Sequence, residues 1–166
     1  MTFADIPHGA VVFLDANIIV YAFSQHPQFA DACRELLKRI DRGDLSGVTS
    51  THVFSETAHR LMTLEACTVF GWPIAGIAQR LKRHPAELQQ LSAYRQAIEQ
   101  VVNSQVQIIA VQPQLVLAAT DVTMQRGLLS NDALIVAIMQ SNGLSNLARH
   151  DADFDRVPGL TRYTPA

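Results

Sequence analysis

Short apolar runs alternate along the chain with longer segments whose apolar residues recur every three or four positions. Val11–Leu14 is an apolar run rich in β-branched residues, which predicts a buried strand. Residues 29–40 carry apolar side chains at helical spacing and end at Arg42-Gly43, which predicts a helix with one buried face. The same reasoning predicts further strands near 47–49, 107–111, 146–148 and 160–163, and helices over 51–62, 74–81, 88–102, from Pro113 onwards, and from Ser130 to Asn142.

Strands that are separated by helices throughout predict an α/β fold. Parallel strands need crossover connections, and these place helices on both faces of the sheet. We therefore expect a three-layer α/β/α sandwich with a central parallel sheet. The 166 residues suit one domain, 1–166, in which region 63–103 is a longer helical part.

Composition narrows the possible environments and partners. Apolar residues make up 48% of the chain and charged residues 17%, which is typical of a globular protein. The net charge of −2 gives no overall attraction to nucleic acid, so any RNA binding must come from local patches. The first apolar run has no basic leader and is soon interrupted by Asp15, and the two cysteines form no Cys-x-x-Cys pair. We expect a cytoplasmic protein with reduced thiols and no membrane span.

Carboxylates follow the predicted strands at the edge where a parallel sheet carries its functional groups. Asp15 follows the first strand, Glu56 lies in the helix after the second, and Asp151 follows the strand near 146–148. Asp132 lies near the start of a helix whose residues 133–139 are apolar on every side. Because the carboxyl ends of parallel strands meet at one edge, we expect these acids to converge.

Each acid taken alone has an ordinary structural explanation. Asp15 could cap a helix, Glu56 could pair with Arg60 one turn later, and Asp132 could complement a helix dipole. Asp151 could belong to a solvated acidic loop. The combination favours a shared site, because unrelated capping residues need not lie at one sheet edge.

A cluster of carboxylates is suited to a hard divalent cation. Mg²⁺ and Mn²⁺ prefer oxygen ligands and keep several waters. Two carboxylates about 5 Å apart repel by roughly 3 kcal/mol at an effective dielectric near 20, so four of them must hold a cation or take up protons.

Four short motifs resemble, in the same order, those of PIN domains, and the resemblance extends from about Val11 to Tyr163. The motifs are Phe13-Leu14-Asp15-Ala16-Asn17, Ser55-Glu56, Asn131-Asp132-Ala133-Leu134-Ile135 and His150-Asp151-Ala152-Asp153-Phe154. The resemblance implies an α/β/α sandwich that hydrolyses RNA with Mg²⁺ or Mn²⁺, as the toxin half of VapBC-type toxin–antitoxin pairs does. It further implies an RNA substrate and a small antitoxin partner, while the sequence leaves both a monomer and a homodimer open.

The same resemblance assigns roles to individual residues. Asp15 and Asp132 would be the main metal ligands, and Glu56 and Asp151 would complete a catalytic quartet. Asp153 is a further predicted ligand. Asn17 would be a polar neighbour that supports Asp15. The metal would orient and activate a water for attack on a phosphodiester.

Basic residues supply the predicted contacts to the RNA backbone. Arg149 stands where PIN domains usually have Thr or Ser before the last acidic motif, and an arginine there could touch phosphate. Arg80, Lys82 and Arg83 form the densest basic run. The alternative for this run is a solvated helix end whose cations favour the C-terminal dipole.

Two other functions compete with the ribonuclease. A haloacid-dehalogenase-like phosphatase shares part of the segment around Asp15, but Asn17 replaces the second aspartate that such enzymes use as acid and base. A non-catalytic PIN-like module would bind RNA or protein without cutting.

His52 and Glu56 lie one turn apart and are a weak zinc signal. The sequence contains neither a phosphate-binding loop motif nor a dinucleotide-binding glycine motif.

Overall fold

The computed structural model describes residues 1–166 and consists of five strands and eight α-helices, with a short 3-10 helix near each end. In chain order the elements are β1 (Val11–Leu14), α1 (Ala16–Phe23), α2 (Ala30–Asp41), β2 (Ser46–Ser50), α3 (Thr51–Phe70), α4 (Ile77–Arg83), α5 (Pro85–Leu88), α6 (Ala93–Val102), β3 (Gln107–Ile109), α7 (Pro113–Arg126), α8 (Ser130–Ser141), β4 (Asn146–Ala148) and β5 (Thr161–Tyr163). The 3-10 helices cover Phe3–Asp5 and Ala152–Arg156.

All five strands form one parallel sheet in the order β3-β2-β1-β4-β5. In β1, Phe13 is paired with Val48 of β2 on one side and with Leu147 of β4 on the other. The chain builds the sheet outward from β1 in one direction through β3 and then returns to build β4 and β5 on the other side. The boundary between β1 and β4 is therefore the point where the winding direction reverses, which is where open α/β sheets bind ligands.

Helices cover both faces of the sheet, which confirms the predicted α/β/α sandwich. Phe13 packs with apolar residues of α7 and α8 on one face. Val12 and Leu14 point to the opposite face and pack with α1 and α2. Helix α8 is buried over residues 133–139, as its all-round hydrophobicity predicted. Both cores include residues of β1, so the strand that leads to Asp15 is packed against helices on both faces of the sheet.

The helical region 63–103 is divided differently from the prediction. Helix α6 confirms the later part of the predicted helix over 88–102, but the predicted start is wrong, because α5 ends at Leu88 and α6 begins only at Ala93. The carboxylate of Glu65 accepts hydrogen bonds from the backbone N–H groups of Ser92, Ala93 and Tyr94, at 2.8 to 2.9 Å. These are the unpaired donors at the start of α6, so a side chain from α3 caps that helix.

Helix α1 follows Asp15 directly, in line with the expectation that Asp15 could stand at the start of a helix, but the sequence pattern gave this helix no bounds. Its residues Ile18, Ile19 and Val20 are all buried, so the segment has no exposed face that would mark a helical period.

Both cysteines are free thiols, with Cys33 buried and Cys67 partly buried. No helix is both long enough and apolar enough to cross a membrane.

Candidate active site

Asp15 occupies the first position after β1, at the start of α1. Its backbone is extended, as at a helix N-cap, but its side chain forms no capping hydrogen bond to the helix. The residue is only 3% exposed. A buried carboxylate needs partners, and Asp15 has them in the side chains of Asn17 and Arg149, with a smaller contribution from the backbone N–H groups at the start of α1.

Glu56 and Asp132 are positioned by the first turns of two helices. Ser50 caps α3 by accepting a hydrogen bond from the N–H of Val53 at 3.3 Å, and Glu56 follows on that helix. Glu56 also forms the predicted ion pair with Arg60, at 3.8 Å. Asp132 lies in the first turn of α8, where negative charge is favourable. The ordinary structural explanations thus hold for these two residues without excluding a shared site.

The four predicted acids line one open polar cavity of about 530 Å³. Asp15, Glu56, Asp132 and Asp151 come from four different parts of the chain and meet there. The remaining lining residues are Asn17, Arg60, Leu129, Ser130, Asn131, Ile135 and Arg149. The structure does not bring Asp153 to this cavity, since it lies exposed on the second 3-10 helix; its role as a ligand stays a prediction.

Asn17 connects two of the acids. Its side-chain amide donates to Asp15 Oδ2 at 3.1 Å and to Asp151 Oδ2 at 3.2 Å. Its carbonyl oxygen in turn accepts a hydrogen bond from Arg60. The amide is therefore held by a cation on one side and holds two carboxylates on the other, as the supporting role of Asn17 beside Asp15 requires.

Arg149 lies in the middle of the acidic cluster. Its guanidinium nitrogens lie 3.0 Å from Asp132 Oδ1, 3.4 Å from Asp15 Oδ1 and 3.6 Å from Asp151 Oδ2. The same group stacks over the ring of Phe154, 4.4 Å from its centroid. Arg149 is only 9% exposed, so a chain-borne cation is buried among the acids.

Burial dominates the electrostatics of Asp15. Desolvation raises the pKa of Asp15 above its ordinary value, and the positive charge of Arg149 offsets part of that increase. The nearby charge of Glu56 raises the pKa further. Asp15 is thus a carboxylate whose charged form is costly unless a cation lies close to it.

The donor set fits a divalent cation in kind and in charge. All four acids offer hard oxygen ligands, which Mg²⁺ and Mn²⁺ prefer. Four carboxylates against the guanidinium groups of Arg60 and Arg149 leave an excess of two negative charges, which one divalent ion would neutralise. No three acidic, histidine or cysteine side chains form a ready-made cage. Arg149 lies among the carboxylates that would have to draw together around an ion.

The basic residues around the site differ in whether they line the acidic cavity. Arg60 lines the cavity and binds Asn17, although its spacing from Glu56 indicated only a surface ion pair. Arg80, Lys82 and Arg83 lie on the last turn of α4 and do not line the acidic cavity. Arg80 instead stacks over the ring of Trp72 at 5.5 Å. Their predicted contact with RNA is untested.

The chain is thus a parallel α/β/α domain whose carboxylates gather beyond the ends of β1 and β4. The sequence of residues 12–160 matches the model of the PIN domain family. The chain therefore belongs to the PIN domain family. No curated protein matches the chain significantly.

Solved structures of similar fold cover nearly the whole chain. VapBC2 from Rickettsia felis, solved with a DNA fragment of its promoter, has 19% identity and a TM-score of 0.57, covering 93% of this chain and 98% of that one. VapC20 of Mycobacterium tuberculosis, a sarcin–ricin loop cleaving toxin, has 18% identity and a TM-score of 0.58, covering 89% and 95%. A toxin–antitoxin complex from Klebsiella pneumoniae has 18% identity and a TM-score of 0.51, covering 90% and 95%. At these identities the likeness establishes the fold.

Proposed function

We propose that this protein is a metal-dependent ribonuclease that hydrolyses RNA phosphodiester bonds at the acidic cavity. The observation that carries the proposal is the convergence of four carboxylates from distant parts of the chain, one of them buried, at the switch point of the sheet. A stable fold has no need of this arrangement, because like charges brought together cost free energy unless a cation offsets them.

The four acids and Asn17 have different roles at the proposed metal site. Asp15, Glu56, Asp132 and Asp151 would hold Mg²⁺ or Mn²⁺. The bound ion would supply Lewis-acid stabilisation of charge on the phosphate and a water of lowered pKa. The amide of Asn17 keeps the carboxylates of Asp15 and Asp151 in place relative to each other. The burial of Asp15 keeps it in a low-dielectric environment, where its attraction to a cation is strengthened.

Incubation of the purified chain with labelled RNA in Mg²⁺, in Mn²⁺ and in EDTA tests the proposal. We expect cleavage products with either metal and none with EDTA. A phosphomonoester incubated in parallel should remain intact, because Asn17 is an amide that donates to two acids and cannot act as the acid and base of a phosphatase. Cleavage that is undiminished in EDTA would contradict the metal-dependent mechanism.

A non-catalytic PIN-like module is the second candidate, and Arg149 is the observation that favours it. Its guanidinium already offsets part of the repulsion among Asp15, Asp132 and Asp151, so the cluster is not wholly dependent on a metal. RNA that binds to the chain but stays uncut in both metals would support this alternative.

We also propose that the protein is the toxin of a toxin–antitoxin pair with a small antitoxin partner. The similar folds of the toxins from Rickettsia felis, Mycobacterium tuberculosis and Klebsiella pneumoniae support this. Expression of the chain alone should slow the growth of a bacterial host, and the Asp15→Asn variant should relieve the effect. Equal inhibition by both forms would separate toxicity from the acidic site.

A further inference from the structure

Arg149 is held in the acidic cluster from several directions. Its backbone N–H, at the end of β4, donates to the carbonyl of Tyr163 at 2.9 Å. Its guanidinium rests on the ring of Phe154, which is itself buried. The side chain is 11% exposed and cannot move into solvent without leaving the ring of Phe154 and the three carboxylates. The cation is therefore a built part of the site.

Three of the four carboxylates that line the cavity lie around Arg149. Asp15 and Asp132 carry side-chain exposures of 4% and 16%, while Asp151 is half exposed. Glu56 faces Arg60 at 3.8 Å and forms no ion pair with Arg149. The guanidinium thus lies between Asp15, Asp132 and Asp151, and Glu56 is the one acid of the four that it does not contact directly.

A second divalent ion would find neither room nor charge beside this group. Paired catalytic metals typically lie about 3.5–4 Å apart and share bridging carboxylates. Here a guanidinium lies within 3.0 to 3.6 Å of three of the carboxylates that would have to bridge. The excess of two negative charges in the cavity is also neutralised by one divalent ion.

We propose that Arg149 takes the place of one metal ion in the acidic cluster, so that each chain binds a single divalent cation and binds it more weakly than the carboxylates alone would. The proposal rests on the proposed function for the presence of a metal site. It adds to that function the number of ions bound and the competition between Arg149 and the metal for the same carboxylates.

Counting bound Mn²⁺ by electron paramagnetic resonance and measuring affinity by calorimetry tests the proposal. The parent chain should bind one ion. Arg149→Met keeps an apolar side chain of similar length over Phe154 and removes the charge, so it should bind Mn²⁺ at least about tenfold more tightly. Arg149→Lys keeps the charge and should bind one ion with nearly the parent affinity.

Arg156→Met is the matched control. It removes the same charge from the exposed second 3-10 helix and should leave the affinity within about threefold of the parent. Two ions bound by the parent chain, or Arg149→Met affinity equal to or below that of the parent, would overturn the proposal. If Arg149→Met does not fold, as judged by circular dichroism, the ion count of the parent and of Arg149→Lys still decides.

RNA cleavage in the same Mn²⁺ solutions separates this inference from the proposed function. Cleavage by a parent chain that binds two ions would overturn the role of Arg149 and leave the ribonuclease standing. One bound ion, tightened in Arg149→Met, with no RNA cut would support the inference while the ribonuclease fails. A parent chain that binds no ion would overturn both.

Discussion

The guanidinium of Arg149 lies 3.0 Å from the carboxylate of Asp132. Asp132 is in the first turn of α8, and Arg149 directly follows β4, the next strand along the chain. Both side chains are largely withdrawn from solvent, with exposures of 11% and 16%. Opposite charges at this distance in a partly buried setting interact more strongly than a surface ion pair. The pair links the end of the sheet to the start of the buried helix.

A double-mutant cycle should detect this link as a favourable coupling. Asp132→Asn should cost more free energy of unfolding in the parent chain than in the Arg149→Met background, by about 1–3 kcal/mol. Urea denaturation of the four proteins in EDTA measures the difference. A coupling near zero would mean that the two groups do not interact in solution.

Replacement of Asp15 should remove activity and leave the fold intact. Asp15→Asn keeps the shape of the side chain but removes the buried charge, so metal-dependent RNA cleavage should fall by at least about 100-fold. Asp121→Asn changes the same residue type on the exposed face of α7 and should cleave like the parent. Cleavage assays with Mn²⁺, paired with circular dichroism spectra, check both expectations. Full activity in Asp15→Asn would remove the proposed site.

Glu65 should stabilise the helical region through its cap on α6. Glu65→Ala leaves the N–H groups of Ser92, Ala93 and Tyr94 without their acceptor, and we expect a loss of about 1–2 kcal/mol. Hydrogen exchange should accelerate first at these amides. Glu99→Ala, on an exposed acid of the same region that pairs with Arg95, is the control and should change the stability by less than about 0.5 kcal/mol. Equal losses in the two variants would argue against the cap.

The two thiols should react very differently in the native protein. Burial raises the pKa of Cys33 to about 12 from an ordinary value of 9.0, so at pH 8 it is a buried neutral thiol. Below pH 9 this burial costs nothing in ionisation, and the free energy of unfolding should fall as the pH rises from 9 towards 12. A chromogenic disulfide reagent at pH 8 should therefore modify Cys67 alone, and two thiols after unfolding in urea. Rapid modification of both in the folded chain would contradict the buried position of Cys33.

The elements with a one-sided or fully apolar pattern could be predicted from the sequence, and others could not. Val11–Leu14 and the helix from Ser130 to Asn142 matched because each carries an uninterrupted apolar run with a clear end, at Asp15 for the strand and at Asn142-Gly143 for the helix. The bounds of helix α1 could not be predicted, since nearly all of its residues are buried and no exposed face marks its period. The break before α6 depends on Glu65, which lies 27 to 29 residues away in the sequence, and no local pattern reveals such a contact.

The site was predicted as a set of acids, and the structure adds the cation between them. Repulsion among four carboxylates required a positive partner, and the sequence favoured a metal for that role. The sequence offered Arg149 as a contact for phosphate, a role that stays a prediction, and gave no information on where its side chain points. The side-chain direction depends on the packing of Phe154 beneath it, which is a tertiary contact.

The order of the strands makes the acidic site a property of the whole chain. A cut in the loop between α3 and α4 would leave Asp15 and Glu56 in one fragment and Asp132 and Asp151 in the other. The sheet would be divided as well, because β1 and β2 of the first fragment lie between β3 and β4 of the second. Neither piece carries more than half of the acids. We therefore expect neither half to cleave RNA alone, and the proposed activity to return only when the two halves reassemble.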